Sequence, residues 1–218
     1  MANNVLGFIG IENFEIILYL SRILRKLERK VLLIDYSETA ELASCIPIPE
    51  GLDPEDDIIT HFGIDFTSKQ INQDVRDEYN DILINFGFNW THISETQYCT
   101  SIIFIINQLQ HNIKRLASFT SIGSEAADKS LIIKDVVNSK ISPEYIADQL
   151  KVKENVCVLN FDEIDMKYRI LAQHDSLFTF RRITRGAKDY LLDTVKKMCP
   201  EIQEKAIKEA YKAAERGR

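Results

Sequence analysis

The sequence predicts an α/β fold: a mostly parallel, twisted sheet with helices on both faces, followed by a helical tail. Apolar runs of strand length alternate with amphipathic segments along the chain. These runs contain several consecutive apolar residues rather than an apolar–polar alternation, which is typical of parallel strands buried on both faces. Apolar residues make up 45% of the 218 residues, enough for one packed core. We expect a sheet of about six to eight strands.

The chain opens with a strand, a helix and a second strand. Asn4–Gly10 is an apolar run of strand length. Residues 13–29 place Ile and Leu at i, i+3 and i+4 spacing, with basic residues on the opposite side, and therefore predict an amphipathic helix. Residues 30–36 form a continuous apolar run closed by an acid. The three segments together form a βαβ unit, so the two strands should lie parallel and the second should be central.

The alternation continues to the end of the chain. Residues 57–62 and 63–67 predict a hairpin that turns at Phe62 and Gly63, and Ser68 is the predicted N-cap of a short helix at 68–78. Further strands are expected at 81–86, 101–107, 131–137 and 155–160, helices at 108–118, 142–150, 186–198 and 201–216, and a helix or loop at 89–100. We expect residues 1–185 to form the α/β domain and 186–218 to pack on it or extend from it.

The composition restricts the class of protein. The chain has 27 Lys and Arg against 33 Asp and Glu, a formal net charge of −6, so no specific nucleic-acid partner is predicted. No apolar run approaches the ~20 residues of a membrane-spanning helix, and the N-terminus lacks a signal-peptide pattern. The four cysteines and four histidines are scattered, without metal-ligand spacing. We expect the cysteines to be reduced thiols and no metal to be bound. The protein is expected to be cytoplasmic, with the inner face of the membrane as one location open to it.

Two features of the first βαβ unit resemble the MinD/ParA family of deviant-Walker ATPases. Residues 30–38, KVLLIDYSE, are similar to that family's second strand with its terminal acid, here Asp35. The family places a phosphate loop of the form KGGxGK[ST][ST] about 22 residues before this acid. In this sequence the same spacing falls on residues 8–15, FIGIENFE.

The matching segment lacks nearly every residue that phosphate chemistry needs. Phe8 stands at the signature-lysine position, Asn13 at the phosphate-contacting lysine, and Phe14 at the hydroxyl that binds magnesium. Gly10 retains one loop glycine, and Glu12 replaces another. Lysine and backbone N–H groups neutralise the phosphates of a nucleotide, and a Ser or Thr hydroxyl holds Mg²⁺. We therefore expect neither ATP nor Mg²⁺ to bind, and no catalytic residue.

The other strand ends agree with this loss. Asp35 keeps the acid of the family, but Asn85 stands where the resemblance implies an acid near the magnesium ion. A strand-end asparagine that reads adenine would fall near Lys134 or Asp135. Glu12 and the neighbouring Glu15 would bring negative charge toward the phosphates, at a cost of ~4 kcal/mol per contact at ~4 Å.

The resemblance implies a scaffold rather than an enzyme. Relatives that lost this loop include TadZ/CpaE-like proteins, which position pilus-assembly machinery. The chain is thus expected to be a non-catalytic scaffold or localisation protein for a pilus or secretion-type envelope machine. Two alternatives stay open: an ATPase with an atypical phosphate loop acting in partitioning or division-site selection, and a non-catalytic nucleotide sensor.

The carboxyl edge of the sheet is the predicted partner surface. ATP-bound members of the MinD/ParA family dimerise across that edge. Phe88 and Trp90 follow one central strand, His111 lies on the helix after another, and Phe14 follows the first turn, so aromatic area should lie at this edge. We expect a protein partner or a homodimer here. The apolar stripe of residues 201–216 is mostly alanine, which favours a docked helix over peripheral membrane contact.

Overall fold

The computed structural model describes residues 4–123, 127–176 and 178–216. Residues 1–3, 124–126 and 177 of the predicted domain and residues 217–218 of the predicted tail lie outside the described residues. In chain order the strands are β1 (Asn4–Gly10), β2 (Val31–Asp35), β3 (Ile59–His61), β4 (Ile64–Thr67), β5 (Asp81–Gly87), β6 (Ser101–Ile106), β7 (Asp128–Val136) and β8 (Val156–Asn160). They form one sheet in the order β3-β4-β2-β5-β1-β6-β7-β8. Neighbouring strands are parallel, except the antiparallel hairpin β3–β4. The predicted fold class is confirmed.

Helices cover both faces of the sheet. They are α1 (Phe14–Lys26), α2 (Gln73–Asp77), α3 (Gln110–Ala117), α4 (Pro143–Leu150), α5 (Glu163–Asp175), α6 (Arg185–Met198) and α7 (Glu204–Ala214). One apolar core lies between the sheet and α1, α6 and α7, and a second lies between the sheet and α3 and α4. This two-sided burial explains why the central strands contain consecutive apolar residues rather than an apolar–polar alternation.

The first βαβ unit folds as predicted. Strands β1 and β2 run parallel to each other because both pair in parallel with β5, which lies between them. All five residues of β2 are buried. The predicted central position of this strand is confirmed.

Two details of the predicted secondary structure are wrong. The short helix after the hairpin begins at Gln73, and its N-cap is Asn72, whose side chain accepts a hydrogen bond from the Val75 N–H at 2.9 Å. Ser68 is not a cap because its own N–H donates to the Pro54 carbonyl at 2.7 Å, which keeps it in the preceding loop. Helix α5 was not predicted. Its amphipathic pattern is weak, because apolar residues such as Met166 and Ile170 lie on the side opposite Ile164 and Tyr168, and only Ala172 is buried.

The C-terminal helices pack on α1. The stripe of α7 is buried in the same core as α1 and consists of Ile207, Ala210, Tyr211 and Ala214. This stripe contacts protein and is not presented to solvent, as expected for a docked helix. Within the described residues, no helix is both long enough and apolar enough to cross a membrane.

Gly10 ends β1 at a point where no side chain fits. Its φ is +139°, and a Cβ built there would lie 1.9 Å from the Ile105 carbonyl oxygen of β6. The Ile11 N–H donates to that same oxygen at 3.0 Å, so the backbone of β6 closes on this residue. Gly10 is therefore needed for strand packing, whatever the site binds.

Replacing Gly10 with alanine should lower the free energy of unfolding by at least about 3 kcal/mol, because the new methyl group must displace a backbone carbonyl as well as adopt a positive φ. Gly51 is the matched control, since it also has a positive φ (+86°) but a Cβ added to it would meet nothing within 4 Å. Gly51→Ala should cost about 1 kcal/mol. Urea titrations of the two variants test the difference, and equal losses would contradict the close approach.

Candidate functional site

The turn between β1 and α1 is short. Residues 11–13 connect the two elements. Since the Ile11 N–H still bonds to β6, only Glu12 and Asn13 form the turn. A phosphate loop needs several consecutive N–H groups that point into one concavity. This segment instead continues the strand almost to the first residue of the helix.

A carboxylate of the same chain lies at the N-terminus of α1. The backbone N–H of Asn13 donates to Glu41 Oε2 at 3.1 Å, and the Thr39 hydroxyl donates to Glu41 Oε1 at 3.0 Å. Glu41 is only 6% exposed. A helix N-terminus favours negative charge, which is why phosphates bind there in P-loop proteins. In this chain Glu41 occupies that position.

Asp35 holds the loop that carries Glu41. Its two carboxylate oxygens accept five hydrogen bonds, from Ser37 N (3.0 Å), Ser37 Oγ (2.7 Å), Asn85 Nδ2 (3.2 Å), Leu42 N (2.8 Å) and Ala43 N (3.2 Å). Burial raises the pKa of Asp35, and the donors from Ser37, Ala43 and Leu42 oppose that rise. The acid that the resemblance assigns to magnesium chemistry therefore serves here as the anchor of residues 37–43.

Asn13 and Asn85 complete a buried chain of hydrogen bonds. Asn13 Nδ2 donates to Asn85 Oδ1 at 3.2 Å and to the Ile11 carbonyl at 3.0 Å, while Asn85 Nδ2 donates to Asp35. The predicted site residues Gly10, Asn13, Asp35 and Asn85 thus lie together, whereas the Phe14 side chain is buried in the core. No group of three or more His, Cys, Asp or Glu that could hold a metal ion occurs in the described part of the chain.

The charge of Glu15 is compensated inside the protein. Lys134, at the end of β7, contacts Glu15 Oε1 and donates to the Glu12 carbonyl at 2.8 Å. Arg169 of α5 lies 3.3 Å from the same Glu15 oxygen and binds both oxygens of Asp135, at 3.1 and 2.9 Å. Although burial opposes it, the Arg169 hydrogen bonds lower the pKa of Asp135. The expected repulsion by Glu15 is therefore cancelled by two cations of this chain.

A polar cavity of about 350 Å³ opens at this carboxyl edge; its lining includes Gly10, Glu12, Glu41, Phe88, Arg115 and Lys134. Each cation in the lining is paired with an acid: Arg115 with Glu38 at 2.8 Å, Lys134 with Glu15, and Arg169 with Asp135. Among the described residues that line the cavity, therefore, every cation is engaged by an acid of the chain itself.

The predicted interface residues differ in exposure. Phe88 is 8% exposed and lies under the Arg115 guanidinium, 4.4 Å from it, and Phe14 is fully buried. The prediction that these two offer aromatic surface is wrong, because both pack inside the domain. Trp90 is 53% exposed and stacks on Phe119, with ring centroids 4.1 Å apart. His111 is exposed on α3.

A second exposed apolar surface lies over the ends of β6, β7 and β8. We call it the edge platform; it consists of Leu109, Val137, Ile141, Phe161 and Ile164. The Gln108 side chain joins its loops, because Gln108 Oε1 accepts from the Val137 N–H at 2.8 Å and Gln108 Nε2 donates to the Ile141 carbonyl at 2.6 Å. The platform is thus held in place before any partner binds.

Sequence reasoning missed Glu41 and Arg169. Glu41 lies in a loop, and its contact with Asn13 spans 28 residues, so no local pattern announces it. Arg169 belongs to the unpredicted α5. One sequence feature indicates that such partners exist: Lys134 and Asp135 are adjacent charged residues near the end of a largely apolar strand. Charged side chains that become buried require partners.

Several solved structures share this fold. The ParA family ATPase from Chlorobium tepidum TLS matches with a TM-score of 0.63 and 12% identity, over 88% of this chain and 98% of that one. A chain of the MinC:MinD cell division protein complex from Aquifex aeolicus matches with a TM-score of 0.66 and 12% identity, over 92% and 97%. The chain has the ParA/MinD fold.

A third ParA/MinD-fold relative is a plasmid partition protein from Borrelia burgdorferi B31 bound to AMPPNP. It matches with a TM-score of 0.61 and 16% identity, over 90% of this chain and 99% of that one. No protein-family model matches the sequence, and no curated protein is significantly similar to it. The expected fold is therefore confirmed by structure, while the loss of nucleotide chemistry stays a prediction.

Glu41 should make stability depend on pH. Burial raises the pKa of Glu41 from 4.5 to about 7. Because the folded state favours the protonated form, this stabilising contribution is complete below pH 4.5 and is lost as the pH rises through about 7. Glu41→Gln removes the charge but keeps an acceptor for the Asn13 N–H. It should match the wild type in acid and be more stable above pH 7, by up to about 3 kcal/mol.

Urea unfolding across this pH range measures the effect. The control is Glu38→Gln, which alters an exposed acid of the same cavity and should shift stability by less than about 1 kcal/mol at any pH. If the Glu41→Gln curve runs parallel to that of the wild type, the Glu41 carboxylate is not the group that titrates.

Proposed function

We propose that this ParA/MinD-fold chain is a non-catalytic scaffold or localisation protein that binds a protein partner, or a second copy, through the carboxyl edge of its sheet. The observation that carries the proposal is the Glu41 carboxylate at the N-terminus of α1. A nucleotide would have to bring its phosphates to a position where Glu41 already accepts the Asn13 N–H, and the ionised form of Glu41 would repel them by ~4 kcal/mol at ~4 Å.

The chemistry of the remaining site supports the same proposal. Hydrolysis in P-loop proteins needs a lysine on the β- and γ-phosphates and a hydroxyl on Mg²⁺. Asn13 and Phe14 stand at those positions, and Asp35 already accepts five hydrogen bonds. Lys134, the buried cation nearest to the turn, is bound to Glu12 and Glu15.

The role of this scaffold is proposed by analogy. The similar structures include a plasmid partition protein and a cell division protein. By analogy, this chain would help to position a large assembly inside the cell. By its resemblance to TadZ/CpaE-like proteins, we propose an envelope machine of the pilus or secretion type as the object placed. The partner would meet the edge platform together with Trp90, since exposed apolar area beyond a few hundred Å² commonly marks an interaction site.

ATP binding and hydrolysis test the absence of catalysis. Calorimetric titration with ATP and Mg²⁺ should give no saturable heat, and phosphate release should equal that of buffer. The opposing result is Mg²⁺-dependent phosphate release that Asp35→Asn abolishes while circular dichroism shows a folded chain. That result would favour the alternative of an ATPase with an atypical loop; saturable binding without hydrolysis would favour a nucleotide sensor.

Trp90 tests the partner surface. A buried aromatic hot spot is worth at least about 2 kcal/mol, or about thirtyfold in affinity. Trp90→Ala should therefore weaken self-association, or binding of an isolated partner, by at least roughly tenfold. Tyr98→Ala is the control, because Tyr98 is also exposed but lies just before β6, at the opposite edge of the sheet.

Analytical ultracentrifugation of the wild type and both variants gives the comparison, with circular dichroism as the folding control. A wild type that stays monomeric at high concentration, together with a partner whose binding ignores Trp90→Ala, would show that the edge near Trp90 is not the interface.

A further inference from the structure

A second, inner cavity lies behind the carboxyl-edge site. It has a volume of about 40 Å³ and lies between α1, α5, α6 and the ends of β7 and β8. Lys134, Asp135 and Arg169 line both cavities, so this ion-pair network forms their shared wall. The inner cavity is otherwise mostly apolar; Ile16, Leu159, Ile183 and Leu191 are among its lining residues.

Two polar groups of α1 face this cavity without a partner. The Tyr19 hydroxyl and Glu15 Oε2 are fully buried and have no hydrogen-bond partner among the described residues. Tyr19 is 4% exposed and Glu15 is 7% exposed, and both line the cavity. They stand four positions apart on one helix, which places them on the same face, one turn from each other.

Leaving these groups unbonded would be costly. A buried hydroxyl without a partner loses its hydrogen bonds to water with nothing in exchange, and a carboxylate oxygen loses more. Other Glu15 contacts do not relieve this, because Lys134 and Arg169 both approach Oε1. A single molecule that accepts one hydrogen bond and donates another would satisfy both groups at once.

We propose that the inner cavity is a binding site for ordered water. One water accepts the hydrogen bond of the Tyr19 hydroxyl and donates to Glu15 Oε2. A buried water needs about 10–15 Å³, so the cavity has room for up to about three. Buried waters in proteins characteristically satisfy polar groups that the chain leaves unpaired.

The charges around the cavity favour water over an ion. Glu15 and Asp135 in its lining are already paired with Lys134 and Arg169, and Asp165 accepts hydrogen bonds from Thr184. Since these charges are compensated within the chain, a neutral molecule that both donates and accepts fits the cavity better than an ion. This inference concerns the cavity between α1 and its neighbouring elements, and it does not depend on the proposed scaffold function.

The sign of one stability change tests the site. If water occupies it, Tyr19→Phe removes a bonded hydroxyl, and the melting temperature should fall by about 2–4 °C. If the cavity is dry, the same change removes an unpaired hydroxyl, and the melting temperature should rise. Tyr145→Phe is the control, because Tyr145 is half exposed on α4 and should show no shift in either case.

A high-resolution crystal structure of the wild-type protein gives a second, independent test that does not require a variant to fold. We expect density for water within hydrogen-bond distance of both the Tyr19 hydroxyl and Glu15 Oε2. An empty cavity, density that belongs to a larger molecule or an ion, or a melting temperature that is unchanged or raised by Tyr19→Phe would overturn the proposal.

Discussion

The hydrogen bond from the Asn13 N–H to the Glu41 carboxylate is the contact on which the carboxyl edge of this protein depends. It joins the first residue before α1 to a loop that Asp35 holds in place through five hydrogen bonds. A helix N-terminus attracts an anion, and a loop carrying an acid needs a donor, so each satisfies the other. Burial raises the pKa of Glu41, and the hydrogen bonds that it accepts from the Asn13 N–H and the Thr39 hydroxyl oppose that rise.

Internal charge compensation extends from this contact across the edge. Glu15, Lys134, Asp135 and Arg169 form a buried network in which each charge meets an opposite one. Removing one member of such a buried network typically lowers the free energy of unfolding by about 3–5 kcal/mol. The network therefore holds α5 and the end of β7 against α1. The ParA/MinD fold is thereby stabilised at its carboxyl edge by its own side chains. Apolar groups on the neighbouring loops, the edge platform and Trp90, remain exposed to a partner.

The sequence predicted the fold well because its signals are local. The first four residues of β2 are all apolar, and α1 carries its apolar residues at helical spacing. The site was predicted only in part, because its contacts join distant segments. From the sequence, Gly10 is interpreted as a remnant of a phosphate loop. The structure shows that a glycine is required there because the Ile105 carbonyl approaches its Cα closely, and the sequence spacing gives no sign of this contact. Helix α5 and its Arg169 were not predicted, because apolar residues on both sides of this helix weaken its amphipathic pattern and only one of its residues is buried.

The most direct test of Glu41 as the internal anion of this edge is a titration of its carboxyl group by carbon-13 NMR, recorded together with the amide resonance of Asn13. We expect a midpoint near pH 7 for Glu41 and the same midpoint for the Asn13 amide, because the two groups share a hydrogen bond. A midpoint near the ordinary 4.5, with an Asn13 amide that does not respond to it, would mean that Glu41 does not occupy the N-terminus of α1.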